Sequence, residues 1–379
     1  MAQVPDRGNV SGAASDHGPP LLNPVAFADI EGWRDDDHAA ALACFIRSSA
    51  AILEHTPHTR ALGLPGEELI EPARRALALG SGASADEARA FFESNFSPAA
   101  ISADGFVTGY FEPELDASRT PDARFAVPLY APPDDLVEVG DPVPTGWDPA
   151  IRFTRRGAAG PEPHFDRAAI ETGALAGRGL EIAYVEDPVD AFFVHVQGSA
   201  RLRLRDGSTM RIGFAAKSGH QYTSVGRLAV ERGLLPRERA DKDGLEAWLK
   251  GNRAAGVALM RENRSFIFFR ELGDLGDADG PLGAAGVPLT AGRSLAVDRT
   301  LMTFHMPIFV TAPTLPDLAD PDRPFRRLMI AQDTGSAILG PTRGDIFVGS
   351  GSAAGSLAGR IRHEARMVVL APREMASPQ

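Results

Sequence analysis

Three late aspartates are the residues of this 379-residue chain best placed to do chemistry. Asp298 lies in SLAVDRT, Asp333 in MIAQDTGSA and Asp345 in TRGDIFVGSG. Each stands at or beside the end of an apolar strand-like run, where a carboxyl group can project from a rigid scaffold without entering the core. Asp333 and Asp345 are twelve residues apart, with Gly335, Gly340 and Gly344 in the stretch between. Such a connection can turn tightly and bring both carboxylates together. Taken singly, each aspartate also fits a plain turn-capping role. A carboxyl group kept protonated by burial or by a neighbouring like charge is a general acid, and once ionised it is a base. Glycoside cleavage commonly uses two carboxylates. One suffices when a hydroxyl of the substrate is itself the nucleophile.

Other groups are weaker candidates. Tyr110 and Phe111 could stack on a sugar, but neighbours in a strand face opposite ways, so only one can face a groove. Glu112 shares a face with Tyr110 and is either a second acid or a turn residue before Pro113. His195 and His220 read as structural histidines. The single cysteine, Cys44, sits in an apolar helical run and reads as a buried thiol; it excludes an internal disulfide and a cysteine metal site. GSGSAAGSLAG (349–359) has Ala354 where a dinucleotide fingerprint needs its third glycine, and reads as a turn into a helix behind Asp345. No metal or organic cofactor is expected.

The elements that must hold these residues follow from periodicity. From Ala26 to about Pro98 apolar residues recur at helical spacing in HAAALACFIRSSAAIL, IEPARRALAL and ADEARAFFESNF. From Ile101 short alternating segments with prolines predict strands. FDRAAIETGAL predicts a helix with Asp166 near its start. DAFFVHVQGSARLRLRDGSTMRIGFAAK predicts two alternating strands joined by a hairpin at Asp206-Gly207. Helices follow in SVGRLAVERGLL, GLEAWLKGN and AGVALMREN. The last hundred residues hold SFIFFRE, SLAVDR, PIFVTA, RRLMIAQD, GDIFVGS and RMVVLAP, short strands that imply a closed barrel.

Composition bounds the function. Hydrophobic residues make up 44% and charged residues 23%, an ordinary globular balance. The net charge of −11 argues against nucleic acid as a partner. No run of eighteen apolar residues predicts a membrane-crossing helix. Residues 1–25 lack a signal-peptide pattern and an early lipid-attachment cysteine, and are expected to be a disordered leader or the start of a chain whose export signal has been removed.

Several longer motifs carry a family resemblance. They are TGYFEPEL (108–115), DAFFVHVQGSARLRLRDGS (190–208), GFAAKSGHQYTSVGRLAVERG (213–233), SFIFFREL (265–272), GPLGAAGVPLTAGRSLAVDR (280–299) and LMIAQDTGSAILGPTRGDIFVGSGSAAGSLAG (328–359). With RMVVLAP, they make the chain resemble the family of membrane-bound lytic murein transglycosylase A over about 260 residues. Its C-terminal part resembles the domain named for three aspartates, here Asp298, Asp333 and Asp345.

The resemblance implies a mainly β fold with N-terminal helices. Both chain ends, 26–111 plus 266–379, would build a double-psi β-barrel carrying the catalytic aspartates. A second β-barrel, 112–265, would be inserted and bind substrate. Asp345 would be the acid/base and Asp333 its supporting carboxylate, with Asp298 in the substrate site. Thr108 and Tyr110 would line the barrel side of a groove, and Gln197, Gly198 and Ser199 the inserted side. The reaction implied is cleavage of peptidoglycan between N-acetylmuramic acid and N-acetylglucosamine with 1,6-anhydro ring formation, by a periplasmic monomer with outer-membrane association. Glycan strands, and other cell-wall enzymes, are the implied partners. An inverting hydrolase on a similar barrel and a non-catalytic peptidoglycan binder stay open beside it. Two departures stand out: no lipid-attachment cysteine, and QGSA (197–200) where the family often has QGSG.

Overall fold

A computed structural model describes residues 22–139, 153–158, 160–273, 275–276 and 278–373. Strand β1 (Leu22–Pro24) leads into α1 (His38–Glu54), α2 (Ile70–Leu79) and α3 (Ala85–Asn95). Local chemistry starts these helices where the pattern predicts. Asp37 accepts the Ala40 N–H at 3.0 Å. Ser84 and Glu87 form a reciprocal capping box. The expected leader ends sooner than position 25. Leu22 pairs with Ile101 and Pro24 with Ala99, so these residues join a sheet. Residues 1–21 of the leader lie outside the described residues.

The helices cover one side of the first sheet with an aromatic cluster. Phe45 meets Phe91, Phe92 and Phe96 at ring-centroid distances of 5.9, 6.2 and 5.8 Å. Phe45, Phe92 and Phe96 are fully buried. Each such ring contributes on the order of 1.5–3 kcal/mol.

The chain then runs through β2 (Phe96–Ile101) and β3 (Gly105–Glu112) and leaves for a long insertion. That insertion comprises β4 (Glu114–Ala117), β5 (Val127–Tyr130), β6 (Leu136–Glu138), β7 (Phe153–Gly157), β8 (Gly160–Pro163), α4 (Arg167–Ala169) and β9 (Glu181–Val185). It continues with α5 (Pro188–Gln197), β10 (Ser199–Leu204), β11 (Thr209–Lys217), α6 (Val225–Glu231), α7 (Lys242–Gly251), α8 (Arg253–Arg261) and β12 (Ile267–Glu271). Back in the first sheet come β13 (Ser294–Val297), β14 (Pro307–Pro316), β15 (Pro324–Asp333), β16 (Arg343–Ser350), α9 (Gly351–Arg360) and β17 (Arg362–Pro372).

The first sheet has the order β1-β2-β17-β14-β15-β13-β16-β3, and β17 pairs with β3 as well. The strands β17, β14, β15, β13, β16 and β3 therefore close on themselves. A closed ring leaves no unpaired edge between first and last strand. The insertion is laid out in three smaller sheets, β12-β11-β10-β4, β5-β9 and β6-β7-β8. At its end β12 pairs with β11, so the second sheet holds the chain through Glu271.

One element differs from the sequence expectation. DAFFVHVQ is the helix α5, not a strand. Asp187 caps it, Pro188 stands in its first turn, and Gly198 ends it at φ 78°. Val189, Ala191, Phe192, Phe193, Val194 and His195 are all buried, so the run is apolar on nearly every side and shows no helical stripe. The other predicted helices form, with Asp166 accepting the Ala169 N–H at 3.1 Å to cap α4. No helix among the described residues is long and apolar enough to cross a membrane.

Candidate active site

Two parallel strands set the site. β3 and β16 run side by side in a register that pairs Phe106 with Arg343, Thr108 with Asp345, and Tyr110 with Phe347. Alternate residues of a strand share a face, so these six form two facing rows. The opposite face of β3 packs on α9. A side chain at Gly109 would meet the Ala358 backbone at 2.9 Å, and one at Gly355 would meet the Phe111 ring at 2.8 Å. Phe111 is accordingly core, and Tyr110 turns the other way.

Within the rows Thr108 donates its hydroxyl to Asp345 Oδ1 at 2.5 Å. Arg343 Nη2 donates to Thr108 Oγ1 at 2.7 Å. The Tyr110 and Phe347 rings lie 5.4 Å apart. Tyr110 then reaches across to β15, donating its hydroxyl to Asp333 Oδ2 at 2.9 Å. The other oxygen of Asp333 accepts the Ala284 N–H at 3.0 Å. Asp345, Asp333, Thr108 and Tyr110 are each half-buried.

The electrostatics separate the two carboxylates. Burial pushes Asp345 up to about 6; the Thr108 hydroxyl and the Arg343 guanidinium pull it down, and the Asp333 charge adds a small upward push. Of the two causes the sequence allows, burial or a neighbouring like charge, loss of water leads. Burial also raises Asp333, against the Ala284 and Thr334 N–H groups and the Tyr110 hydroxyl, which favour its ionised form. Burial and both aspartates hold the Tyr110 phenol well above its ordinary value, so it remains a donor.

The third aspartate is elsewhere employed. Asp298 is buried, accepts the Thr300 N–H and hydroxyl at 2.9 and 2.6 Å, and takes the Gly340 N–H at 2.8 Å on its second oxygen. Thr334 donates to the Val297 carbonyl at 2.8 Å. Asp298 thus anchors the loop that joins Asp333 to Asp345 and has its own oxygens occupied.

Gln197, Gly198 and Ser199 lie where α5 turns into β10. Gln197 Oε1 accepts the Phe111 N–H at 3.1 Å, tying this turn to β3. Ser199 is buried and pairs with Gly213. From β11, Lys217 reaches Ser336 at 3.3 Å, on the loop between the two aspartates. Glu112 has no exposed surface. It accepts from Arg201 at 2.9 Å, from Arg211 at 2.8 and 3.1 Å, and from Ser350 at 2.7 Å. It is a clasp between the two sheets, not a second acid. His195 packs on Phe266 and Phe269 at 4.2 and 5.2 Å, and burial holds it well below its usual value. Cys44 is buried and its thiol is raised by that burial.

Sequence reasoning missed Arg343 and the arginine partners of Glu112. The signal for Arg343 was its position two residues before Asp345, which puts both on one face of a strand. Among the described residues no group of three or more His, Cys, Asp or Glu could hold a metal ion.

Comparison with known proteins agrees with this arrangement. Residues 106–270 match the family described as MltA specific insert domain, and residues 293–371 match the 3D domain. The two matches lie in that order along the chain and together cover most of it from residue 106 to residue 371. The chain belongs to the family of membrane-bound lytic murein transglycosylase A. It is similar to the crystal structure of a membrane-bound lytic murein transglycosylase from Agrobacterium tumefaciens, with 45% identity, TM-score 0.86, and coverage of 93% of this chain and 98% of that one. It is similar to MltA from Neisseria gonorrhoeae at 31% identity and TM-score 0.78, covering 95% and 94%. A curated relative, membrane-bound lytic murein transglycosylase A of Vibrio cholerae, is 33% identical over 264 residues, 69% of this chain and 63% of that protein. The match thus spans less than two thirds of that relative's length.

Proposed function

We propose that this protein is a peptidoglycan lytic transglycosylase with Asp345 as its single general acid and base. The observation that supports this best is the pairing of access with a raised carboxyl: Asp345 is half-buried, yet stands at about 6. Near neutral pH a usable fraction is protonated. The neutral acid donates its proton to the glycosidic oxygen between N-acetylmuramic acid and N-acetylglucosamine. The resulting carboxylate then takes the proton of the muramoyl C6 hydroxyl as that oxygen attacks C1. The bond to the leaving sugar breaks, a 1,6-anhydro ring forms, and no water is consumed.

An inverting hydrolase would need a second carboxylate free to activate water. Neither candidate is free. Asp333 is engaged by Tyr110 and Ala284, and Glu112 by two arginines and a serine. Asp333, whose ionised form the Ala284 and Thr334 N–H groups and the Tyr110 hydroxyl favour against burial, would stabilise positive charge developing on the sugar. On this reading the ring closed by β17 and β3 is a double-psi barrel running from residue 26 to 111 and resuming after the insertion. The glycan lies in a groove between it and the inserted domain. Thr108 and Tyr110 form one wall, and the turn at Gln197, Gly198 and Ser199 the other. The names of the relatives, membrane-bound lytic murein transglycosylases, support action on murein at a membrane, and a periplasmic site would follow from that substrate.

Digestion of purified sacculi followed by mass spectrometry tests the proposal. Muropeptides lighter by one water and lacking a reducing end are expected. Reducing-end products would instead establish the hydrolase. Binding without turnover would establish a non-catalytic peptidoglycan protein.

A further inference from the structure

The row of β16 that carries Asp345 begins with Arg343, and the geometry gives this arginine a task that the proposed reaction leaves unassigned. Arg343 is held on three sides. Its Nη1 donates to the Gly344 carbonyl, its guanidinium lies 5.7 Å from the centre of the Phe106 ring, and its Nη2 donates to Thr108 Oγ1 at 2.7 Å. A guanidinium has donors and no acceptor. Thr108 Oγ1 must therefore accept from it. The threonine has one proton to give. Among the described residues its acceptor is Asp345 Oδ1, at 2.5 Å. A relay with one direction results: Arg343 to Thr108 to Asp345.

We infer that Arg343 is a positioning residue that acts through Thr108 to keep the catalytic proton of Asp345 on Oδ2. Oδ1 is always on the accepting end of the relay. When Asp345 is neutral, its proton must sit on the other oxygen. When it is ionised, Oδ2 is the lone pair free to collect a proton. The same oxygen thus serves both half-reactions, with no rotation of the carboxyl group between them. A freely turning carboxyl would present its acidic proton correctly only part of the time. This inference rests on the reading of Asp345 as acid and base.

The charged and titratable groups facing Asp345 are Arg343 on its own strand, Asp333 from β15 and Tyr110 from β3. Arg362 of β17 approaches the far side of the arrangement, 5.9 Å from the same Phe106 ring. Arg343 and Thr108 both favour the ionised form of Asp345. Removing either moves the alkaline limb of the pH profile upward, which a purely structural role would not do.

The test is a set of pH–rate profiles on purified sacculi for the parent protein, Arg343→Met, Arg343→Lys, Thr108→Val, Thr108→Ser and the Arg343→Met/Thr108→Val double variant. Arg343→Met should lower kcat by roughly ten- to a hundredfold, the scale of one lost charge-assisted hydrogen bond, with KM little changed. Its alkaline limb should move up. Arg343→Lys, which keeps a charged donor, should recover part of kcat and hold the limb near the parent's. Arg343→Met should add little in the Thr108→Val background, because the relay is already broken there. Parental kcat and limb in Arg343→Met, or losses that multiply in the double variant, overturn the inference. If Arg343→Met does not fold, the threonine pair decides. Thr108→Ser with the parental limb and Thr108→Val with a raised one support the relay; equal limbs overturn it. Asp345→Asn separates the two levels. Turnover by that variant sinks the acid/base reading itself, whereas an inactive Asp345→Asn beside a parental Arg343→Met sinks the relay alone.

Discussion

Arg211 grips Glu112 from the insertion, its Nη2 lying 2.8 and 3.1 Å from the two carboxylate oxygens. Both side chains are buried. Arg201 and Ser350 complete the clasp, which joins the end of β3 to the β10–β11 hairpin and the start of α9. Removing one partner from a buried pair strands the remaining charge, at a cost of roughly 3–5 kcal/mol. Glu112→Gln should therefore lower the thermal midpoint by many degrees. A midpoint within two degrees of the parent's would show that the clasp contributes nothing.

Activity should fall as pH rises through about 6. In the proposed mechanism Asp345 acts first in its neutral form, and burial places its titration there. Asp345→Asn keeps the shape and removes the transferable proton. Its turnover should drop by about 10²–10⁴-fold, while binding to sacculi in a pull-down stays near parental. A turnover rate that climbs between pH 6 and 8 contradicts the assignment.

The same carboxyl should weaken the fold at alkaline pH. Its value in the folded protein lies above that of an unfolded aspartate, so the native state holds the proton longer. Stability is then full below about pH 4 and declines as pH rises toward 6, by up to about 3 kcal/mol from this group. Asp345→Asn should unfold at a higher temperature than the parent at pH 8 and at nearly the same temperature at pH 4. Equal midpoints at both values would count against the burial argument.

Tyr110→Phe keeps the ring beside Phe347 and deletes the hydroxyl that Asp333 accepts. Asp333 loses a group that favours its charge. A loss in kcat of roughly tenfold is expected, the scale of a hydrogen bond to a charged group. Combined with Asp333→Asn, it should cost little more. Multiplicative losses would show that the two side chains act separately.

Asp298→Ala should loosen the loop between Asp333 and Asp345. It frees the Gly340 and Thr300 N–H groups that Asp298 holds, at about 1–3 kcal/mol. Limited proteolysis checks this: new cleavage between residues 334 and 342 is the expected result, and a parental digestion pattern rejects it.

Much of this site could be read from the chain. Asp333 and Asp345 ended or opened apolar runs, and Thr108 and Tyr110 sat two apart in a strand-like motif. Such signals are local, and the family resemblance ordered them. What was lost was long-range. Glu112 could be read only as a turn residue or a spare acid because its arginines lie 89 and 99 residues away. Arg343 was passed over, since nothing in TRGD shows that it lies beside Phe106 and Thr108 of another strand. The helix α5 was hidden because burial on almost every side erases the stripe by which helices are recognised. The end of the leader was misjudged because Leu22–Pro24 is too short to show a period, and only pairing with β2 orders it.

Thr108 and Asp345 touch across a separation of 237 residues, since the ring that holds them draws strands from both sides of the insertion. Contacts this distant are closed late and slowly. A growing polypeptide carries Thr108 and Tyr110 long before it carries the aspartate they serve. No chain interrupted before position 345 carries the Thr108–Asp345 pair, and none can finish the ring without β17. On the proposed reading, in which Asp345 cuts the cell wall, a nascent chain therefore stays inert until β16 and β17 have both been made, a safeguard set by strand order.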